Sequence, residues 1–179
     1  MTTLTSARML TPTHREPGFI QAAILLVTAG LTVLVTAVLG PSLPAMQRHF
    51  AHVPGADYLV PLTMTTPILM MAALSVVAGG LADRFGRKRL LVGATALYAV
   101  FGTAPMWLDS LTAIIASRVA LGVTEAVLMT VSTTMIGDYY SGARREKFMS
   151  LQTTVSAPSA FLLNTLGGLI AEHGWRAPY

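Results

Sequence analysis

This sequence has few charged residues. Only 11% of its 179 residues are Asp, Glu, Lys or Arg, whereas 53% are hydrophobic. Soluble domains carry about 25% charged residues. The chain also has no cysteine, which excludes disulfide bonds, thiol catalysis and cysteine-based metal sites. This composition predicts a membrane protein.

Long uncharged runs locate the predicted membrane spans, because a spanning helix needs about 20 mostly apolar residues. Four runs contain no Asp, Glu, Lys or Arg, and a fifth is interrupted only by Arg118 and Glu125. We predict an all-α membrane protein with five transmembrane helices, at residues 19–40, 58–82, 90–108, 111–137 and 148–171. They form one transmembrane domain, residues 18–179, preceded by a mobile cytoplasmic tail, residues 1–17, that is rich in Thr, Ser and Pro.

Two other interpretations of the apolar runs are weaker. A cleaved signal peptide would be shorter than the first run, and four further runs follow it here. A large soluble core would need more polar surface than 179 residues can place around five helices that are apolar on all sides.

The basic residues predict the orientation in the membrane. Nine Lys and Arg residues fall in the N-terminal tail and in the second and fourth connections, against two on the opposite side. Because cytoplasmic loops carry the excess of Lys and Arg, we place the N-terminus in the cytoplasm of a multi-pass protein in the plasma, or cell inner, membrane. The same basic stretches can contact anionic lipid of the bilayer, and we expect no nucleic-acid binding.

The stretch "GGLADRFGRKRLL", between the second and third predicted spans, carries the densest charge cluster. Gly79 lies four residues beyond Ser75, a spacing of small residues that lets another helix approach closely. Gly86 permits the backbone angles of a tight turn. Asp83, at a helix end, would be stabilised by an Arg or by the N-terminus of a neighbouring helix.

This stretch matches, at every fixed position, the pattern G-x-L-A-D-R-x-G-R-K-x-x-L, and so resembles the loop between the second and third helices of major facilitator superfamily (MFS) transporters. The resemblance implies a cytoplasmic latch that holds the outward-facing state. Its expected members are Gly79, Asp83, Arg84, Gly86, Arg87, Lys88 and, at the inner end of the fourth helix, Asp138. The alternative is that the cluster only sets topology and loop shape.

The resemblance covers nearly the whole chain after residue 17. "ASRVALGVTEA" resembles the fourth-helix pattern of the family, and "GDYYSGARREKFMSLQ" its loop between the fourth and fifth helices. The chain is therefore expected to be the N-terminal portion of a transporter, truncated at the start of the sixth helix of a six-helix half. Late in the fifth helix, "LNTLGG" keeps the paired glycines of family antiporters without their Gly-Pro.

Arg118 and Glu125 are the candidate functional residues inside the membrane, because a charge in a span is costly and is usually functional. They lie seven residues apart on nearly one helix face, about 10 Å along the axis. Glu125 lies near mid-membrane, where transporters bind substrate, and the family resemblance links Arg118 to proton coupling. The alternative is an interhelical clamp, with Arg118 on carbonyls and Glu125 on hydroxyls such as that of Thr63. Gln152 and Asn164 are weaker cavity-lining candidates.

The resemblance implies a secondary active transporter that exports drugs or other small organic molecules in exchange for protons by alternating access. Its expected partners are a small-molecule substrate, protons, the lipid bilayer and the missing C-terminal half. Two alternatives remain open: a sugar or organic-acid symporter or facilitator of the same fold, and a truncated fragment inactive in transport. No enzyme activity, cofactor or metal site is expected, because no nucleophile and base pair, metal cluster or phosphate loop occurs in the sequence.

Overall fold

The computed structural model describes residues 19–179, and the predicted tail at residues 1–17 lies outside them. The described residues form five α-helices and a short 3₁₀ turn, with no β-strand among them. The helices are α1 (Phe19–His49), α2 (Ala56–Phe85), α3 (Arg87–Thr103), α4 (Leu111–Tyr139) and α5 (Gly142–Ala171), and the 3₁₀ turn is Ala104–Met106. This confirms the prediction of an all-α fold.

Four of the helices in the described region are long and apolar enough to cross a membrane: α2, α3 together with its 3₁₀ turn, α4 and α5. The first helix, α1, has 31 residues and carries no charged residue before Arg48. At 1.5 Å per residue it is also long enough to cross.

The helices extend beyond the uncharged runs that located them. The fifth starts at Gly142 rather than 148, and the second ends at Phe85 rather than 82. Charged residues are excluded from the hydrocarbon but not from a helix, so the polar turns continue the same backbone hydrogen bonds outside the bilayer.

Prolines lie at two further differences in helix bounds. The first helix was expected to end at residue 40, before Pro41, but it continues through Pro41 and Pro44 to His49. Membrane helices tolerate such prolines because their neighbours compensate for the lost hydrogen bond. The third helix ends at Thr103 instead of 108, because Pro105 has no N–H to continue the α-helical ladder and the chain tightens into the 3₁₀ turn.

The fourth helix is the centre of the described bundle. It packs most extensively against α2 and α3 and also touches α1, while α1 packs against α5. One buried apolar cluster joins α2, α3 and α4 and includes Leu39 of α1. A second closes the end of the bundle near the α1–α2 connection, where Trp175 after α5 packs against Phe50. Buried charged groups on α4 are therefore surrounded by protein rather than by lipid.

Candidate functional site

Arg118 is held by the end of the neighbouring helix. Its side chain is 1% exposed, and its Nη2 donates hydrogen bonds to the carbonyl oxygens of Phe101 (3.3 Å) and Gly102 (3.2 Å) near the C-terminus of α3. Carbonyls at a helix C-terminus carry partial negative charge and stabilise a cation there. These contacts are the ones that the clamp interpretation describes for Arg118.

Two further nitrogens of Arg118 are buried and have no hydrogen-bond partner among the described residues. They are Nε and Nη1. The guanidinium also lies 5.4 Å from the centre of the Tyr179 ring, a cation–π distance. These two nitrogens therefore have hydrogen-bonding capacity that no group among the described residues uses, and leaving a buried donor unpaired is costly.

Glu125 lies halfway along α4, 14 residues from Leu111 and 14 from Tyr139. At 1.5 Å per residue this is about 21 Å from either end, so Glu125 lies at the midpoint of the helix. Its side chain is 6% exposed. Ionising a carboxyl group in such a place is costly, so its charge depends strongly on what lies beside it.

The clamp interpretation predicted a contact between Glu125 and a hydroxyl such as that of Thr63, but the Thr63 hydroxyl donates elsewhere. The Thr63 hydroxyl donates to the carbonyl of Val60 in its own helix, at 2.6 Å. Its proton is therefore used within α2, as is common for Ser and Thr in membrane helices.

Gln152 lines a cavity of about 470 Å³ between α1, α4 and α5. Two methionines, Met129 and Met149, contribute flexible apolar surface, and the hydroxyls of Thr133 and Thr153 donate to their own helix backbones. Asn164 lies elsewhere on α5, beside Gly40 of α1. Its Nδ2 is 4.0 Å from the position that a Cβ on Gly40 would take. The structure thus places only one of the two weaker candidates at this cavity.

The predicted latch residues meet where the α2–α3 turn reaches the end of α4. The Arg87 guanidinium forms an ion pair with Asp138 of α4 and lies 3.8 Å from a carboxylate oxygen of Asp83. Gly86 has a φ of 84° and a ψ of 128°, angles that residues with a side chain rarely adopt. The glycine therefore allows α3 to begin at Arg87, directly beside Asp138.

The remaining latch candidates lie around this ion pair. Arg84 and Lys88 are exposed, and the Arg84 guanidinium is 5.8 Å from the Phe85 ring. Gly79 faces Thr130 of α4, whose methyl group would lie 4.0 Å from a Cβ at position 79. That is an ordinary van der Waals distance, so Gly79 is not the closest approach of the two helices.

Sequence reasoning missed two residues of this region, Gly122 and Tyr98. A Cβ on Gly122 would lie 2.6 Å from the carbonyl oxygen and 2.8 Å from the Cα of Pro67, so α2 and α4 pack backbone to backbone there. Small residues permit such contacts between membrane helices. Tyr98 is the titratable residue within the apolar run of α3, a signal that was available in the sequence.

Comparison with known proteins agrees with this architecture. The family profile of the Major Facilitator Superfamily matches residues 25–179. The chain is 28% identical to a cephamycin export protein of Amycolatopsis lactamdurans, over 99% of the chain and 36% of that protein. It is 30% identical to the multidrug efflux pump LfrA of Mycolicibacterium smegmatis, over 91% and 31% of the two chains. It is 27% identical to the class C tetracycline resistance protein of Escherichia coli, over 87% and 39%.

The chain therefore spans about a third of the length of the curated relatives it matches. The family profile covers most of the chain, including the latch region and both candidate residues of α4. Together with the long apolar helices, it makes the chain part of a multi-pass membrane protein. The chain belongs to the major facilitator superfamily of membrane transporters.

Proposed function

We propose that the chain is part of a proton-coupled exporter of drugs or other small organic molecules. The observation that carries this proposal is the carboxyl group of Glu125, buried at the midpoint of the most enclosed helix. Transporters place their substrate and coupling-ion sites near the bilayer midplane. The three relatives named above are export, efflux and resistance proteins by name, which favours export over import.

In this proposal Glu125 is the proton carrier. A buried carboxylate without a cation beside it binds a proton, whereas a cationic or hydrogen-bonding substrate nearby stabilises the ionised form. Proton and substrate therefore compete for the same group, which is the requirement for antiport. Arg118, seven residues away on the same helix, adds a fixed positive charge that limits the cost of ionisation.

The ion pair between Arg87 and Asp138 is the proposed latch. It joins the α2–α3 turn to the end of α4, and the Arg145 guanidinium packs 3.9 Å from the Cβ position of Gly137 at the same helix end. Two basic side chains, one from the start of α3 and one from the first turn of α5, thus lie against the C-terminus of α4, where the helix dipole favours cations. Opening of this side of the membrane would separate these contacts.

We place this end in the cytoplasm. Among the described residues, seven basic and three acidic side chains surround it, against two basic and three acidic side chains at the opposite end. This asymmetry supports a cytoplasmic N-terminus by the positive-inside rule. The chain has no cysteine, so a single cysteine introduced at Ser141 should react with a membrane-impermeant maleimide only after the cells are opened.

The direction of transport can be tested in cells that express the chain within its complete reading frame. We expect less accumulation of tetracycline or ethidium than in control cells, and more accumulation when an uncoupler collapses the proton gradient. Lower accumulation after collapse would instead indicate a proton symporter, and no dependence on the gradient would indicate a facilitator. Correct insertion without any flux would contradict the proposal and favour an inactive membrane fragment.

Replacing Asp138 by Asn should slow transport with little loss of inserted protein. The Arg87–Asp138 pair is half-exposed, and exposed ion pairs are worth about 0–1 kcal/mol, so the ratio of the two conformations should change up to about fivefold. Asp83→Asn should have a smaller effect, because that carboxylate is 76% exposed and 3.8 Å from Arg87. Transport rates at equal protein levels measure both changes.

Glu146→Gln provides the matched control for this prediction. Glu146 is an exposed acidic residue at the same end of the bundle, in the first turns of α5. If it slowed transport as much as Asp138→Asn, net charge rather than the latch contact would be responsible.

A further inference from the structure

The residues after α5 fold back across the end of the bundle that lies opposite the predicted latch. Trp175 is buried there, and its ring centre lies 5.3 Å from that of His49 and 5.4 Å from that of Phe50. These two partners belong to the end of α1 and to the connection that follows it. Residues 175–179, which we call the strap, are thereby joined to the α1–α2 connection.

Arg176 joins the strap to the turn between α3 and α4. Its Nη2 donates a hydrogen bond to the carbonyl oxygen of Leu108, at 3.0 Å, and forms an ion pair with a carboxylate oxygen of Asp109. Its guanidinium also lies 4.8 Å from the centre of the Trp175 ring, a cation–π distance. The strap is therefore fixed to two connections of the bundle at the same time.

Tyr179 brings the strap into contact with Arg118. The Arg118 guanidinium lies 5.4 Å from the centre of the Tyr179 ring, and the Tyr179 hydroxyl donates toward the sulfur of Met46, at 3.8 Å. The Trp175 ring packs against Tyr179 edge-on, with 6.5 Å between the ring centres. Tyr179 thus contacts α1 through its hydroxyl and the buried arginine of α4 through its ring.

The hydrogen bonds of Arg118 alone hold its side chain weakly. Its two bonds, to the carbonyls of Phe101 and Gly102, measure 3.3 and 3.2 Å, the long end of the usual range, and both come from Nη2. Nε and Nη1 have no partner among the described residues. A guanidinium that reached water would satisfy both of these donors. The groups packed over Arg118 therefore keep it at 1% exposure.

We infer that the strap positions Arg118, and that Tyr179 is the positioning residue in direct contact with it. The Tyr179 ring covers the guanidinium, and Arg176 fixes the turn that follows the two carbonyls to which Arg118 donates. The consequence for transport rests on the proposed function, in which the charge of Arg118 limits the cost of ionising Glu125. The cover over Arg118 can be tested without transport.

The test is the rate at which the Nε–H of Arg118 exchanges with water in the 179-residue chain, reconstituted in lipid nanodiscs. With ¹⁵N-labelled arginine, the signal that disappears in Arg118→Lys identifies this group among the ten arginines. Tyr179→Leu removes the ring and should speed the exchange about tenfold, the factor that corresponds to a cation–π contact shielded from water. Tyr179→Phe keeps the ring, so the exchange should stay near the rate of the unsubstituted chain.

Asp109→Asn tests the strap at its other attachment and keeps the inference testable if Tyr179→Leu does not fold. The Asp109 side chain is 88% exposed, so its replacement leaves the packing of the bundle in place. The exchange of Arg118 should become about threefold faster, within the range for a largely exposed ion pair. Combining Asp109→Asn with Arg176→Gln should add nothing to the effect of Arg176→Gln alone, because both remove the same ion pair.

Two matched controls use residues of the same type outside the strap. Tyr140 is a half-buried tyrosine that stacks on Phe148 at the opposite end of the bundle. Asp57 is an exposed acidic residue in the first turn of α2, at the same end as the strap. Tyr140→Leu and Asp57→Asn should both leave the exchange of Arg118 unchanged. The backbone amides of α4 should also keep their exchange rates in the strap variants, because the strap covers a side chain.

An unchanged exchange rate in Tyr179→Leu or in Asp109→Asn would overturn the inference. Equal acceleration in Tyr140→Leu, or in the backbone amides of α4, would also overturn it, because the whole bundle would then have loosened. These results leave the proposed function intact, since that fails only if Glu125 itself does not couple protons to transport.

Discussion

Gly122→Ala is expected to destabilise the helix bundle by about 3 kcal/mol, at the upper end of the range for overpacked cores. The new Cβ would meet the carbonyl oxygen of Pro67 at 2.6 Å, the Cβ of Met70 at 2.7 Å and the Cα of Pro67 at 2.8 Å. These are backbone atoms or atoms next to the backbone, so no side-chain rotation can relieve the clash. The helices α2 and α4 would therefore have to move apart, and they form the most extensive helix–helix contact among the described residues.

The measurement is reversible unfolding of the chain in mixed micelles, with Gly93→Ala as the control. Gly93 is also inside a helix, but a Cβ there meets nothing within 4 Å. Because alanine favours helix more than glycine does, that variant should be as stable as the unsubstituted chain or more stable. Equal stability of the two variants would show that α2 and α4 do not pack as closely as the structure has them.

Glu125→Gln is expected to abolish the export that the proton gradient drives, while the protein still inserts and folds. Moving one charge through 100 mV yields about 2.3 kcal/mol, enough to maintain a substrate ratio of roughly fiftyfold. Glutamine keeps the size and a hydrogen-bonding side chain but cannot exchange a proton. The ratio across the membrane should therefore fall towards one, and transport should lose its dependence on pH.

Glu172→Gln is the control for this loss, because Glu172 is exposed at the end of α5 opposite the latch. It should transport like the unsubstituted protein. If Glu125→Gln retained both a steep substrate ratio and the original pH dependence, Glu125 would be a structural residue and the proton would be carried elsewhere.

The sequence was sufficient to predict the helical membrane fold, because the absence of charge over about 20 residues reports directly on the lipid environment. Helix ends were harder to predict. The uncharged run starting at Phe148 marks where the hydrocarbon begins, but α5 starts six residues earlier, at Gly142. Backbone hydrogen bonding continues in polar turns, and hydropathy does not report on it.

In the candidate site, too, the sequence predicts which residues are chemically important better than it predicts how the helices pack. The charges of Arg118 and Glu125 stand out in an apolar span, so their burial could be anticipated from cost alone. The role of Gly122 could not be anticipated, because a glycine in a membrane helix can face open space, as Gly93 does, or the backbone of a neighbouring helix. Tyr98 was missed because its burial against α4 depends on how α3 packs on that helix, which no single helix encodes.

Substrate-dependent proton movement tests the central claim most directly. Inside-out vesicles containing the protein in its complete reading frame would be acidified inside, and the internal pH followed with a fluorescent dye while tetracycline or ethidium is added. If Glu125 exchanges protons for substrate, addition should release protons from the lumen in the unsubstituted protein and not in Glu125→Gln. Substrate uptake without proton release, or equal release in both proteins, would contradict this account.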